Sequence, residues 1–372
     1  MDLKQNSGFL KFFLIGSVFT CLLLLALLCL EYCVELKDFA RDWLTQPNIE
    51  KGLIDSDEIN WCTLPVSHDL DKGGIPDDIQ DITHPSIVYT DSFSHKWWLA
   101  ATPYPQSLPV HGEPYENTCI FYSDNDSTNP PVLFQNIHKN PIIYKAEAKY
   151  NSDPDIFYDG DSNTLFSVTR KRRGNDYISN IVIQHSKDGE NWSDPESIIK
   201  TNTESLCPCL LKTDTTYRVY MFEAKKQKKN PTSSIEIWES DSLSHPSFKH
   251  IHSIPWNFES YFWHGDIVKY EGMYYMIYCG ANKSYKARLG IEDESQYLWL
   301  ATSQDGITFE EYKRPILKMN GVYRSTFIII NGEIICYFSV SNRYRGDKTR
   351  YPWGNRVGMV HFSINRINEL RE

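Results

Sequence analysis

The sequence predicts an all-β chain, a five-bladed β-propeller preceded by a single N-terminal transmembrane helix. Three observations predict it. A short pattern with a polar start and an apolar end recurs five times, each copy is followed by the same order of aromatic and β-branched runs, and an apolar stretch stands ahead of the first copy. Composition agrees. Aromatics make up 14% of the 372 residues and charged residues 23%, which excludes a disordered, collagen-like or coiled-coil chain. A net charge of −10 argues against a general nucleic-acid binder.

The apolar stretch runs from Phe12 to Leu30, 19 residues without a charge, long enough to cross a hydrocarbon core as a helix. Lys4 and Lys11 precede it, and Glu31, Glu35 and Asp38 follow. Positive charge on the N-terminal side predicts a cytoplasmic N-terminus and a propeller outside: periplasm, lumen or cell surface. A cleaved signal peptide is the alternative, but no small-x-small site follows, and Leu28 before Cys29 makes a poor lipobox. The expected divisions are a tail over 1–11, the anchor over 12–32, a stalk over 33–58 and the propeller over 59–372. Cys62, Cys119, Cys207, Cys209, Cys279 and Cys336 would then face an oxidising compartment, with a pairing that sequence does not reveal. Asn125, Asn191 and Asn282 each begin a glycosylation triplet.

The repeat starts at His84-Pro85, Asp153-Pro154, Cys207-Pro208, His264-Gly265 and Arg324-Ser325, at spacings of 69, 54, 57 and 60 residues. A turn and a second strand-like run follow each copy: Trp97 to Thr102, Thr164 to Thr169, Tyr217 to Phe222, Met273 to Cys279 and Glu333 to Ser339. Asp159-Gly160, Glu271-Gly272 and Asn331-Gly332 suit the hairpin turns. Third runs cover Asn117 to Tyr122, Ile181 to His185, Ser234 to Trp238, Tyr297 to Thr302 and Arg356 to Phe362. The stretches from Ser186 to Trp192 and from Ser303 to Phe309 read as matching turns into a fourth strand. Two β-sandwiches would be the competing architecture, but the order of runs is the same in all five units. Ring closure needs a strand from the other end of the chain, and residues 59–64 can supply it.

From about residue 80 to 365 the chain resembles the five-bladed propeller glycosidases, the family 43-like superfamily of arabinanases, xylosidases and fructosidases. Blade count, the polar-Pro-x-apolar start of the inner strand and the Ser-x-Asp-Gly-x-x-aromatic turn carry the resemblance. It implies a substrate lying across the central channel and carboxylates at the starts of the inner strands. His84 stands where the general base of those families is expected. Asp153 matches their second-blade carboxylate, and Glu204 is the stand-in for the third-blade acid.

The residues themselves point to the same place. The first position of each repeat lies at the channel end of the innermost strand, so His84, Asp153, Cys207, His264 and Arg324 converge. The third positions, Ser86, Asp155, Cys209, Asp266 and Thr326, share their side because the side-chain period is two. Glu116, at the start of the third strand of blade one, belongs to the same end. Converging ionisable groups indicate a site, or else a salt-bridged plug such as Asp153 with Arg324. Glycoside hydrolysis needs an acid and a base or nucleophile, about 6.5–9.5 Å apart in an inverting enzyme. Asp153, Glu116, Asp266, His84 and His264 are the catalytic candidates; either histidine can replace a carboxylate near neutral pH. Arg324, Asp155, Trp263, Arg172 and Arg345 form the substrate-binding set. His84, Asp153, Cys207 and His264 are all metal-ligand types, but without short ligand spacing neither metal nor cofactor is expected.

The loops joining second and third strands are basic: Arg170 to Arg173, Lys225 to Lys229, Lys283 to Arg288 and Arg343 to Arg350. They should ring the channel mouth and favour an anionic glycan, unless they are ordinary solvated hairpin tips. The reading that follows is a membrane-anchored glycoside hydrolase acting on an anionic oligo- or polysaccharide. A non-catalytic glycan-binding or assembly propeller is the alternative, and a glycan transferase a third.

Overall fold

In a computed structural model the described residues are 52–65, 82–104, 116–143, 150–172, 179–224, 233–258, 261–281, 296–319, 321–340 and 355–371. They form five separate four-stranded antiparallel sheets. Blade one holds β2 (Ile82–Tyr89), β3 (Trp97–Pro103), β4 (Cys119–Ser123) and β5 (Gln135–Asn136). Blade two holds β6 (Tyr150–Asp159), β7 (Thr164–Arg172), β8 (Ser179–Ser186) and β9 (Glu196–Thr201). Blade three holds β10 (Ser205–Lys212), β11 (Tyr217–Ala224), β12 (Ser233–Ser240) and β13 (Lys249–Pro255). Blade four holds β14 (Tyr261–Tyr270), β15 (Met273–Ala281), β16 (Gln296–Ser303) and β17 (Glu310–Glu311). In blade five, β18 (Val322–Ile330), β19 (Glu333–Val340) and β20 (Arg356–Ser363) are completed by β1 (Asn60–Trp61) from the other end of the chain.

Asn60 pairs with Met359 and Trp61 with Gly358, so the ring is closed by residues inside the stretch that the sequence offered for it. Ahead of this strand, Leu53 and Ile54 are buried, and their amides donate to Pro315 and Ile316 at 3.1 and 2.8 Å. Residues 52–58, expected in the stalk, therefore pack on blade four instead of standing clear of it. The tail, the Phe12–Leu30 stretch and the stalk up to residue 51 lie outside the described residues. No helix among the described residues is long and apolar enough to cross a membrane.

Each blade offers two apolar faces, and the core consists of five clusters, one per blade interface. Alternating strand residues supply them. Trp97 and Leu99 face blade five while Trp98 and Ala100 face blade two, all fully buried. The Ser-x-Asp-Gly turn locks neighbouring blades together. Gly189 (φ +83°) lies over the Trp98 ring, where a Cβ would stand 2.0 Å from the indole, and at Gly306 (φ +73°) a Cβ would stand 2.7 Å from the Tyr220 hydroxyl. The Ser186 hydroxyl accepts the Gly189 amide at 2.8 Å, and Asp188 Oδ1 accepts those of Glu190 and Asn191 at 2.9 and 2.8 Å. Ser303 and Asp305 repeat the pattern. The six cysteines of the propeller are buried and free.

Candidate functional site

The inner strand of every blade slips its register against the second strand at the first repeat position. The slips fall between Thr83 and Ser86, Ser152 and Asp155, Leu206 and Cys209, Phe262 and His264, and Val322 and Arg324. Proline explains three of them, because Pro85, Pro154 and Pro208 cannot donate to the ladder. His84, Asp153 and Cys207, just ahead of those prolines, adopt φ of +54°, +53° and +46°. Such a backbone costs a non-glycine residue about 1–3 kcal/mol. The bulges re-aim the first-position side chains toward the axis.

There Asp153 is wholly buried. Its Oδ2 lies 2.8 Å from Arg170 Nε, and its Oδ1 lies 3.2 Å from His84 Nε2, 3.7 Å from Arg324 Nη1 and 3.8 Å from His264 Nδ1. His84 Nδ1 meets Thr102 Oγ1 at 2.7 Å, and His264 Nδ1 meets Cys207 Sγ at 2.6 Å. The Arg324 Nη2 donates to the Pro154 carbonyl at 2.8 Å. Burial alone would raise the Asp153 pKa, yet Arg170, the two histidines and Arg324 hold it below the usual carboxylate range. Burial drives His84 down to about 3 and His264 well below its ordinary value, against the pull of Asp153. Burial thus favours the neutral form of both imidazoles, which leaves Arg170 and Arg324 as the permanent cations beside Asp153.

One layer deeper the third positions close a ring of hydrogen bonds. Ser86 Oγ accepts the Ile156 amide, Asp155 Oδ2 that of Leu210, Cys209 Sγ that of Ile267, Asp266 Oδ2 that of Phe327, and Thr326 Oγ1 that of Ile87, at 2.6 to 3.3 Å. Each side chain therefore holds the next blade. The Ser86 hydroxyl also donates to Asp155 and that of Thr326 to Asp266, at 2.7 and 2.8 Å, and the Cys209 thiol donates to Asp266 at 3.0 Å. Burial pushes both carboxyls up in pKa, and for Asp155 the charge of Asp266 adds to it. Asp155 and Asp266, read from sequence as substrate-binding and catalytic, have their oxygens engaged in joining blades.

Toward the mouth, Arg172 Nη1 donates to the Tyr150 hydroxyl at 2.6 Å and stands 3.9 Å from Glu204 Oε1. Arg170 and Arg172 both lie over the Tyr150 ring, at 5.1 and 5.5 Å. Burial disfavours the Arg170 charge, but Asp153, Tyr150, Glu116 and Glu204 more than restore it. Glu116 is buried, and its carbonyl accepts the Asn151 amide at 2.9 Å. Tyr323 sits above both histidines, its ring 5.3 Å from His84 and 4.6 Å from His264, and Trp263 borders His264 at 5.8 Å. Both aromatics are partly buried. A cleft of about 640 Å³ between blades two and three, lined by Asp159, Lys187, Phe166 and Tyr217, contains none of these residues.

Of the sequence-predicted residues, His84, Asp153, Cys207, His264 and Arg324 come together as expected from the repeat. Trp263, Arg172 and Glu116 border them, while Arg345 lies outside the described residues. Arg170 is the principal correction. Ending the second strand at Thr169 placed it in a basic loop, but β7 runs on to Arg172 and delivers Arg170, buried, to Asp153. Lys171 and Arg172 are strand residues too, and the other rim cations fall outside the described residues. Thr102, Tyr150 and Tyr323 were missed, since nothing in their local sequence separates them from strand packing.

No family model matches the sequence, and no curated protein matches it. Solved structures do resemble the fold. A thermostable family-43 glycoside hydrolase matches with a TM-score of 0.53 and 13% identity, over 76% of this chain and 89% of that one. The β-xylosidase/α-arabinofuranosidase CoXyl43 from a compost microbial metagenome, solved in complex with xylotriose, matches at 0.54 and 15%, over 82% and 94%. The Bombyx mori family-32 β-fructofuranosidase matches at 0.55 and 12%, over 74% of this chain and 59% of that one. The chain has the fold of the five-bladed glycoside hydrolases. Within this propeller the axial positions are filled by two histidines, one aspartate, one cysteine and one arginine.

Proposed function

We propose that the protein is a membrane-anchored, extracytoplasmic glycoside hydrolase that takes an anionic glycan at the mouth of its channel. The observation that carries this reading is the presence of carboxylates from three segments of the chain around Arg170: Asp153 pairs with it at 2.8 Å, and the charges of Glu116 and Glu204 favour its cationic form. Asp153, buried and ionised, fixes Arg170 and sets the field. It is a positioning residue. Glu204 keeps 16% of its side chain exposed, so it can meet a glycosidic oxygen as the acid, with Glu116 as the second carboxylate. Arg172 and the basic segments favour a uronate, phosphate or sulfate on the sugar, and Tyr323 and Trp263 offer ring faces for stacking. Phe12–Leu30 supports the anchor, and the charges flanking it support the outward-facing propeller.

A second reading is a glycan receptor without catalysis. His84 and Cys207, where the family resemblance leads one to expect carboxylates, favour it. The test uses the full-length chain in detergent on neutral and acidic oligosaccharides, with binding and product release read together. Hydrolysis reduced at least about 100-fold by Glu204→Gln, with binding kept, is the expected result. Binding without product in the unmodified chain would overturn the hydrolase and leave the receptor.

A further inference from the structure

We infer that the cleft between blades two and three is a docking site for an extended basic segment of a partner protein. The cleft holds about 640 Å³ and lies where β6 turns into β7, between Asp159 and Thr164. That is the end of the blades away from Asp153 and the channel mouth, so an occupant of the cleft and a glycan at the mouth would not compete for space.

Its lining is apolar at the base and acidic at the walls. Phe166, Ile183 and Leu243 are buried against it, and Tyr217 adds an aromatic ring from blade three. Five carboxylates line it against one lysine, Lys187. That lysine is engaged, since its Nζ donates to the Ser162 carbonyl and to Thr164 Oγ1, both at 2.6 Å. Asp159 and Asp161 are paired as well, with Lys212 Nζ at 3.2 and 2.5 Å. Asp194 and Glu196 on blade two and Asp241 on blade three are different. All three are exposed, and their carboxylates have no ion-pair or hydrogen-bond partner among the described residues. Uncompensated charge of one sign on both walls of a concave, low-dielectric surface focuses a field that favours a cation.

The kind of cation follows from the spacing. No three of these carboxylates gather within 4.8 Å of one another, so they are not arranged to chelate a single metal ion. The ligand must carry its charges apart, with apolar stems between them to cover Phe166, Ile183 and Leu243. Lysine and arginine side chains do this, burying their methylenes while the head group reaches the carboxylates. In an extended segment, every second side chain falls on one face, so alternating basic residues would all point into the cleft. Lys212 is the built-in example. It comes from blade three, its ammonium lies 5.4 Å from the centre of the Tyr217 ring, and it pairs with carboxylates of blade two. The channel mouth and this cleft therefore take ligands of opposite charge.

The test titrates the full-length chain in detergent into a short fluorescein-labelled peptide that alternates lysine and serine, read by fluorescence anisotropy. The expected result is saturable binding of about one peptide per chain, weakened about five- to tenfold in the double variant Glu196→Gln with Asp241→Asn. Asp57→Asn with Glu310→Gln removes the same charge from exposed positions outside the cleft and should leave the affinity unchanged. An equal loss in both double variants would overturn the inference, because attraction to the net charge of the chain would then explain the binding. So would no saturable binding to the folded chain. Spermine, a small polycation of similar charge, should compete poorly; competition as strong as that of the unlabelled peptide would overturn the peptide and leave a polyamine site. None of these readouts depends on hydrolysis, so the docking site can fail while the proposed function stands, and the reverse.

Discussion

Two layers of the same repeat meet at the axis, and they differ in a way that separates structure from site. The third positions, Ser86, Asp155, Cys209, Asp266 and Thr326, each accept a backbone amide from the next blade, so their polar atoms are spent on closing the ring. The first positions stand one layer up on the same strands. Around them, His264 Nε2 and Nε of Arg324 are buried without hydrogen-bond partners, and Asp153 meets only the guanidiniums of Arg170 and Arg324 and the two imidazoles. Both layers look equally chemical as residue types. What distinguishes them is satisfaction. A buried polar group that already has its partners holds the fold, whereas an array of buried groups without them calls for a ligand.

Three variants, one of them double, can break or sharpen that comparison. The largest effect is expected from Asp266→Ala. It removes the acceptor of the Phe327 amide and the partner of Thr326 and Cys209. Buried groups left unsatisfied at about 1–3 kcal/mol each add up to about 4 kcal/mol of lost stability, read from chemical denaturation. A loss below about 1 kcal/mol would mean that the ring does not bind blades four and five together.

Ser86→Ala should cost less, about 2 kcal/mol, because it removes one donor to Asp155 and one acceptor of the Ile156 amide. Glycan binding should be unchanged in this variant. Its loss with the fold intact would show that the deeper layer belongs to the site.

The smallest effect concerns the turns at the far ends of the blades. Hydrogen bonds from the Asn191 amide and side chain and from the Glu190 amide hold Asp188 at about 2, and Asp305 lies lower still for the same reason. Their folded values lie below the unfolded value of about 3.9. Their contribution is therefore complete above about pH 4 and is lost as the pH falls toward 2. Both side chains are exposed, so solvent screening limits each to under about 1 kcal/mol. Asp188→Ala with Asp305→Ala should lower Tm slightly at pH 7 and flatten its fall between pH 4 and 2. An acid limb as steep as in the unmodified chain would show that other carboxylates control it.

The fold was legible because a propeller writes its plan into short, local signals. Strand runs, hairpin turns and the Ser-x-Asp-Gly turn recur with each blade, and each depends on neighbours a few residues away. The convergence of His84, Asp153, Cys207, His264 and Arg324 was legible too, since equivalent positions of a closed ring must face one axis. The roles of those residues were not. Whether Asp155 serves a substrate or a blade depends on the Leu210 amide, 55 residues away, and whether Arg170 is rim or core depends on β7 running past its last apolar residue, Val168, as far as Arg172. By itself, then, the sequence determined the repeat, the order of strands and which side chains reach the centre, because those follow from periodicity and chain direction. Only the tertiary structure decided which of them are satisfied, which are charged and which are open to a ligand. Hydrogen bonding and electrostatics at the axis are set by partners from other blades, and no local stretch of the chain contains them.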